Sequence, residues 1–273
     1  MKKKLTLKEA SDMLAEAGIA DSKDEARRIF SLVGGVPHYA LLSPSFETDN
    51  GAVIGAVTRR CSREPLAYIV GEVDFYRERY KVTPDCLIPR SDTEILVDTA
   101  VKNLPHGARF LDLCTGSGCV ALSVLKNTEN TRCTAVDISE SALAVARENA
   151  ERLGLSGRID FVLADACKKR IDGDFFAVLS NPPYVSSSAY RTLEREIYFE
   201  PRLAFLGGED GGDFYRSITP LYKSVAKAGG FIAFEIGFDQ GRLISEIASE
   251  SSLRTEIIRD LSANERVALL RGR

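Results

Sequence analysis

From Arg109 to the carboxyl terminus, short apolar runs alternate with stretches of helical periodicity, and this alternation limits the possible folds more than any other feature of the chain. Arg109–Leu113, Arg132–Val136, Ile159–Leu163, Phe175–Ser180, Phe231–Ile236, Leu253–Ile258 and Arg266–Leu270 read as strands. Helical stretches fill most of the gaps, notably Ser139–Leu153. Nearly continuous apolar strands separated by helices predict an α/β fold whose mainly parallel sheet is covered on both faces. Between the last two strands only Arg259 to Glu265 intervene. A parallel crossover needs roughly a dozen residues, so the seventh strand is expected to run antiparallel.

The first 66 residues read as a small helical module. Thr6-Leu7-Lys8-Glu9 has the spacing of a capping box, and Leu7, Ala10, Leu14 and Ala17 fall on one face before Gly18. Ser22-Lys23-Asp24-Glu25 repeats the device, and a further helix is expected around Ala52 to Arg60. Tyr68-Ile69-Val70 and Val73-Asp74-Phe75-Tyr76 read as extended, and Tyr80-Lys81-Val82 returns after a charged turn, so residues 67–84 are expected to form a β-hairpin linker. Ser91-Asp92-Thr93-Glu94 reads as a third capping box, opening a helix to about Leu104 within a domain of residues 85–273. The loop from Val185 to about Gly212 is long for a compact domain, as functional loops often are.

Composition excludes several classes. No apolar run approaches the roughly 20 residues of a membrane span. The basic start Met1-Lys2-Lys3-Lys4-Leu5 has no apolar stretch after it, so a secretory signal is not expected. The six cysteines are scattered without a C-x-x-C pair, which predicts reduced thiols, a cytoplasmic protein and no metal site. A net charge of -3 lacks the basic footprint of a nucleic-acid binder, so no direct nucleic-acid partner is expected.

The chemistry concentrates at predicted strand ends, where open α/β sheets bind ligands. Leu111-Asp112-Leu113-Cys114-Thr115-Gly116-Ser117-Gly118 leaves the first sheet strand for a helix, and its small residues let a ligand approach the backbone. Asp137 ends the second strand, where nucleotide sites place the acid that grips ribose hydroxyls. Asp165 ends the third, placed to accept from an adenine amino group. Either acid alone is explained as a helix cap; three such features at successive strand ends are less easily dismissed. After the fourth strand comes Asn181-Pro182-Pro183-Tyr184. Asn181 offers an amide oxygen, and the two prolines have carbonyls but no N–H. With an aromatic face alongside, these groups suit a planar NH2 held while its nitrogen is attacked. A rigid turn is the structural alternative, since Asn-Pro commonly starts turns.

The arrangement resembles the class I S-adenosylmethionine-dependent methyltransferases, whose Rossmann-like sheet has seven strands with the last antiparallel. The resemblance implies that Cys114, Thr115, Gly116, Ser117 and Gly118 line the methionine part of the cofactor. It places Asp137 with Ile138 at the ribose, and Asp165 with Ala166 at the adenine. The tetrapeptide is that family's signature for methylating conjugated nitrogens. Pro65–Gly71, Leu87–Glu94, Phe199–Gly211, Glu235-Ile236-Gly237 with Gln240-Gly241, and Arg259-Asp260-Leu261 with Arg266-Val267 are similar to the HemK/PrmC family of release factor glutamine methyltransferases. The resemblance covers roughly residues 60 to 270, with Cys114 where glycine is usual, Ala67 for glutamine and Ser91 for proline.

This resemblance implies methyl transfer to the N5 nitrogen of the glutamine in the Gly-Gly-Gln motif of peptide chain release factors. Asn181 Oδ1 and the Pro182 carbonyl are expected to accept the two N–H groups of that amide, with Tyr184 on its plane. Arg90 and Thr93 have two readings: the capping box explains their segment structurally, and the resemblance puts it beside the cofactor and substrate. A nucleic-acid amino methyltransferase is the rival enzyme, and a non-catalytic S-adenosylmethionine-binding protein the rival of another class. The 1–66 module is expected to recognise the protein substrate.

Overall fold

The computed structural model describes residues 4–273. Met1–Lys3, most of the basic start, lie outside them. The chain divides into two compact units, one of residues 1–72 with Glu194–Phe199 and one of Val73–Leu193 with Glu200–Arg273.

In the first unit, β1 (Leu5–Thr6) pairs antiparallel with β2 (Glu47–Thr48), and the α-helices among the described residues are α1 (Leu7–Glu16), α2 (Ser22–Arg28), α3 (Gly51–Cys61) and α4 (Leu66–Val70). The Thr6–Glu9 capping box forms with both of its reciprocal bonds. The one expected at Ser22 does not: Asp21 is the N-cap, and Glu25 turns to the buried Arg60 instead. Leu14, Ile29, Phe30, Val53 and Val57 are wholly buried in this unit's core. Arg60 pairs with Glu25 at 2.5 Å and Glu196 at 3.3 Å, while Arg63 reaches Glu196 at 2.8 Å. Thus a segment of the long loop is held in the helical unit by its charge.

Residues Tyr68–Val70, expected as extended, belong to α4, which Gly71 ends in the left-handed conformation. The run is too short for its periodicity to separate a helical turn from a strand. The hairpin appears just beyond, as β3 (Glu72–Phe75) and β4 (Glu78–Lys81). At Ser91 a single 3-10 turn precedes α5 (Glu94–Asn103), and no side chain caps it. Glu94 Oε1 accepts from the Tyr76 N–H at 2.8 Å, so the acid meant for a capping box serves the hairpin turn.

The second unit carries the seven-stranded sheet. In chain order come β5 (Arg109–Leu113), α6 (Cys119–Lys126), β6 (Arg132–Asp137), α7 (Glu140–Arg152), β7 (Ile159–Leu163), β8 (Ala177–Ser180), α8 (Ser187–Tyr190), α9 (Asp213–Lys227), β9 (Phe231–Glu235), α10 (Gly241–Glu250), β10 (Leu253–Arg259) and β11 (Glu265–Gly272). Their order across the sheet is β10-β11-β9-β8-β5-β6-β7. β7, β6, β5, β8 and β9 run parallel. β11 lies antiparallel between β9 and β10, as the short last connection requires. Separate apolar cores pack on the sheet, one with Leu96, Leu122 and Phe110, the other with Tyr215, Ile218 and Ile244. Among the described residues no helix is long and apolar enough to cross a membrane.

Because β5, β6, β7, β8 and β9 are parallel, their carboxyl ends share one edge. The reversal of strand order between β5 and β8 opens a crevice there.

Candidate active site

A cavity of about 350 Å³ lies at that edge, the size of a small-molecule site. Of the residues the sequence singles out, Cys114, Gly116, Asp137, Ile138, Asp165, Ala166, Asn181 and Pro183 line it. Thr115, Ser117, Gly118, Arg90, Thr93, Pro182 and Tyr184 are outside its lining.

The wall formed by β5, β6 and β7 is built mostly by contacts close in the chain. Asp112, 1% exposed, accepts from the Thr115 hydroxyl at 2.6 Å and so ties down the loop after β5. Burial pushes its carboxyl up to about 7, partly countered by Thr115 and by the Ala121 N–H. Thr115 therefore faces inward. Cys114 has φ 60°, a conformation that costs an ordinary side chain about 1–2 kcal/mol, which accounts for glycine being usual there. Asp137 accepts from the Gly116 N–H at 2.8 Å through one oxygen and from the Ser139 N–H at 3.0 Å through the other. Burial raises its pKa against the pull of these amides. Asp165 moves the other way, lowered by Lys168 at 3.0 Å.

This wall fits an adenosine-bearing cofactor. A Cβ built on Gly116 meets nothing within 4 Å, so a side chain there would enter the cavity where the backbone now leaves room. The Asp137 carboxylate keeps lone-pair capacity for a hydroxyl beyond the amides it accepts from. Ile138 and Ala166 give apolar surface beside it.

Asn181 and Pro183 form another wall, and long-range contacts hold the Asn181–Tyr184 segment that carries them. The Asn181 Nδ2 group donates to Thr93 Oγ1 at 3.2 Å, which leaves Oδ1 as the acceptor. The Tyr184 ring packs into the second core, and its hydroxyl donates to Glu235 Oε1 at 3.1 Å. Burial raises the phenol, with the Glu235 charge adding to it. The Tyr184 carbonyl accepts from Gln240 Nε2 at 2.9 Å, and Gln240 Oε1 takes the Tyr215 hydroxyl at 3.1 Å and the Gly237 N–H at 2.9 Å. From behind, a Cβ on Gly207 would lie 2.6 Å from the Pro183 carbonyl, and one on Gly211 would lie 2.3 Å from that of Tyr184. Only glycine permits this approach, and at Gly211 (φ 81°) it also permits the backbone turn.

Arg90 pairs with the buried Glu200, which also accepts from the Ile88 N–H at 2.9 Å. Burial dominates at Glu200 and raises its carboxyl, with Arg90 countering. The pair anchors the rim of the cavity, where Pro201 and Leu203 stand. Glu235 stands in the sequence within the family motif Glu235-Ile236-Gly237, but with no role assigned to it. It ends β9, is 2% exposed, and burial pushes its carboxyl up to about 7 against the Thr93 and Tyr184 hydroxyls. Its signal was legible: a lone acid closing the apolar run Phe231-Ile232-Ala233-Phe234. Cys86, Cys167 and Phe214 also line the cavity, and nothing in their sequence context marks them.

Comparison with known proteins agrees with this geometry. Residues 91–200 match the methyltransferase small domain and residues 6–71 the PrmC N-terminal domain. A release factor glutamine methyltransferase of Caulobacter vibrioides is 36% identical over 270 residues, 95% of this chain and 93% of that one. Its counterpart in Cereibacter sphaeroides is 35% identical over 277 residues, covering 97% and 96%. A methyltransferase structure from Pyrococcus furiosus, 21% identical, superposes with a TM-score of 0.54 over 71% of this chain and 89% of that one, which supports the fold.

Proposed function

Because the chain belongs to the release factor glutamine methyltransferases, we propose that it methylates the N5 nitrogen of the Gly-Gly-Gln glutamine in peptide chain release factors, in the cytoplasm, and that Asn181 orients that amide. One observation carries the residue assignment: Thr93 takes the N–H of the Asn181 amide, so Oδ1 is left to accept from a substrate NH2.

S-adenosylmethionine supplies the electrophilic methyl group when bound. Gly116 and its neighbours receive the methionine part, Asp137 the ribose hydroxyls and Asp165 with Ala166 the adenine. An amide nitrogen is a poor nucleophile because its lone pair is delocalised. What the protein contributes is therefore alignment and the exclusion of water. Asn181 Oδ1 and the Pro182 carbonyl each accept one N–H of the substrate. Both acceptors also stabilise the positive charge that grows on nitrogen during transfer; once the methyl group has moved, one of the two N–H protons is lost to solvent, which leaves the neutral N-methyl amide. Tyr184 anchors the segment through Glu235 and Gln240, so its backbone carbonyls do not drift. Asp112 and Glu200 act through the loops they hold. We assign the helical module, residues 1–66, to recognition of the protein substrate, with residues 67–84 as its linker to the methyltransferase domain of residues 85–273.

The test is mass spectrometry of a bacterial-type release factor after incubation with the protein and S-adenosylmethionine. One added methyl group on the Gly-Gly-Gln glutamine is expected. Methylation of RNA or DNA in a parallel transfer assay, with release factor unmodified, would make the nucleic-acid reading the correct one.

A further inference from the structure

An amide side chain can face its substrate two ways round, oxygen first or nitrogen first, and the two differ only by a flip. Asn181 serves as an acceptor in one of them only. Something must therefore select the orientation, and Thr93 alone cannot: a hydroxyl donates as readily as it accepts. If the Thr93 proton pointed at Asn181, the amide oxygen would turn toward Thr93 and the NH2 group toward the cavity. Two N–H groups would then confront the substrate NH2.

Behind Thr93 stands Glu235. Thr93 is 1% exposed and Glu235 2% exposed, so bulk water does not reach either group. An ionised carboxylate accepts and never donates. Glu235 Oε1 takes the Tyr184 hydroxyl at 3.1 Å, and the Thr93 hydroxyl interacts with the same carboxyl group. Glu235 Oε2 is buried and has no partner in hydrogen-bonding geometry among the described residues, so no other donor occupies the oxygen that would take the Thr93 proton. Once ionised, above about pH 7, a carboxylate there draws the Thr93 proton to itself. The lone pair of Thr93 is then turned to the Asn181 N–H, in agreement with the observed 3.2 Å bond.

We infer that Glu235 is a positioning residue which, through Thr93, fixes the acceptor end of the Asn181 amide toward the substrate and, through Tyr184, holds the segment that carries it. The inference rests on the reading of Asn181 given above. Glu235 touches neither substrate nor cofactor in this account. It sets a direction of hydrogen bonding, and it polarises the chain of bonds so that Asn181 Oδ1 becomes a better acceptor. The charged and titratable groups facing it are Tyr184, Tyr215, Cys119, Asp92 and Arg266; Arg266 is neutralised by Asp92 at 2.9 Å and Asp260 at 2.9 Å. That leaves Thr93 and Tyr184 as the hydroxyl donors that hold the carboxylate.

The experiment compares Thr93→Val, Thr93→Ser, Glu235→Gln and Asn181→Ala by quenched-flow single-turnover methylation of a release factor at saturating substrate and cofactor, with cofactor affinity measured alongside by calorimetry. Valine keeps the shape of threonine and removes the hydroxyl, and serine restores it. Glutamine keeps the shape of Glu235 but brings a donor into a place that needs an acceptor. Thr93→Val and Glu235→Gln are expected to slow transfer by about tenfold, less than the roughly hundredfold expected from removing Asn181 itself. Cofactor affinity should stay unchanged, and Thr93→Ser should recover most of the rate. Wild-type transfer by Thr93→Val, or a loss confined to cofactor affinity, would overturn the inference. If Asn181→Ala is slow in that same series, the reading of Asn181 survives; if it also transfers at the wild-type rate, that reading falls first. Should Glu235→Gln fail to fold, the valine and serine variants at Thr93 decide the matter.

Discussion

At the cofactor wall of the cavity, side chains are held by near neighbours, whereas at the transfer wall they are held from across the sheet. Asp165 is fixed by the Cys167 N–H and Lys168, Thr115 by Asp112, and Asp137 by Ser139 and by Gly116 in the loop after the adjacent strand. Asn181, by contrast, leans on Thr93, and Tyr184 leans on Glu235 and Gln240, more than fifty residues away in each case. The difference follows from the tasks. Binding an adenosine group asks for a few donors and acceptors at strand ends, which turns and caps supply locally. Aligning one lone pair with one methyl group tolerates little drift, so the acceptors are braced from several elements at once.

If this contrast is right, damage at the two walls should have different signatures. The largest effect is expected from Asn181→Ala, which removes a group that stabilises developing charge. Such losses cost about 3 kcal/mol, or on the order of a hundredfold in the transfer step. Quenched-flow transfer measures it, and thermal denaturation checks that the fold is intact. Next comes Asp137→Ala, at the other wall. It should weaken S-adenosylmethionine binding by about 1–3 kcal/mol, the usual cost of losing one partner of a charged hydrogen bond. Calorimetry giving an unchanged affinity would remove Asp137 from the site.

Gly211→Ala probes the brace without touching an acceptor. Its Cβ would press on the Tyr184 carbonyl and on Gln240 Nε2, at a backbone angle unfavourable to alanine. The strain is of order 1–3 kcal/mol, and a displaced segment should lower the transfer rate more than cofactor affinity. Equal losses in both would blur the two walls into one.

The smallest effect concerns pH. Burial raises the Glu235 carboxyl from its ordinary 4.5 to about 7. The folded protein thus holds that proton more tightly than the unfolded chain does. The associated stability is full below about pH 4.5 and is lost as pH rises through about 7. Glu235→Gln should flatten the decline over that window by at most about 1.4 kcal/mol per pH unit. Asp112, raised to about 7 at the cofactor wall, should leave a remaining slope. Urea denaturation at several pH values reads both.

The same contrast explains what could be read from the sequence. The order of strands and helices, the antiparallel β11 and the residues that line the cavity at the ends of β5, β6 and β8 were legible because periodicity, connection length and strand-end residues are local signals. Tyr68–Val70 was misread as extended because three apolar residues do not resolve a turn of helix from a strand. Ser22 and Ser91 were misread as caps because Glu25 and Glu94 found stronger uses elsewhere, with Arg60 and with the Tyr76 N–H. Thr93 was visible, but not its bond to Asn181. Glu235 was visible as an acid at the end of an apolar strand and as part of a family motif, but its role was not, since its partners come from separate parts of the chain.

The most direct test of the account sets the two walls against each other in one assay. Single-turnover methylation of release factor is followed for Asn181→Ala and Asp137→Ala as S-adenosylmethionine is raised to saturation. The account predicts that saturating cofactor restores Asp137→Ala to near the wild-type transfer rate, because only binding was lost. Asn181→Ala should stay about a hundredfold slow at every cofactor concentration. Recovery of Asn181→Ala by saturation, or a lasting defect in Asp137→Ala, would contradict it.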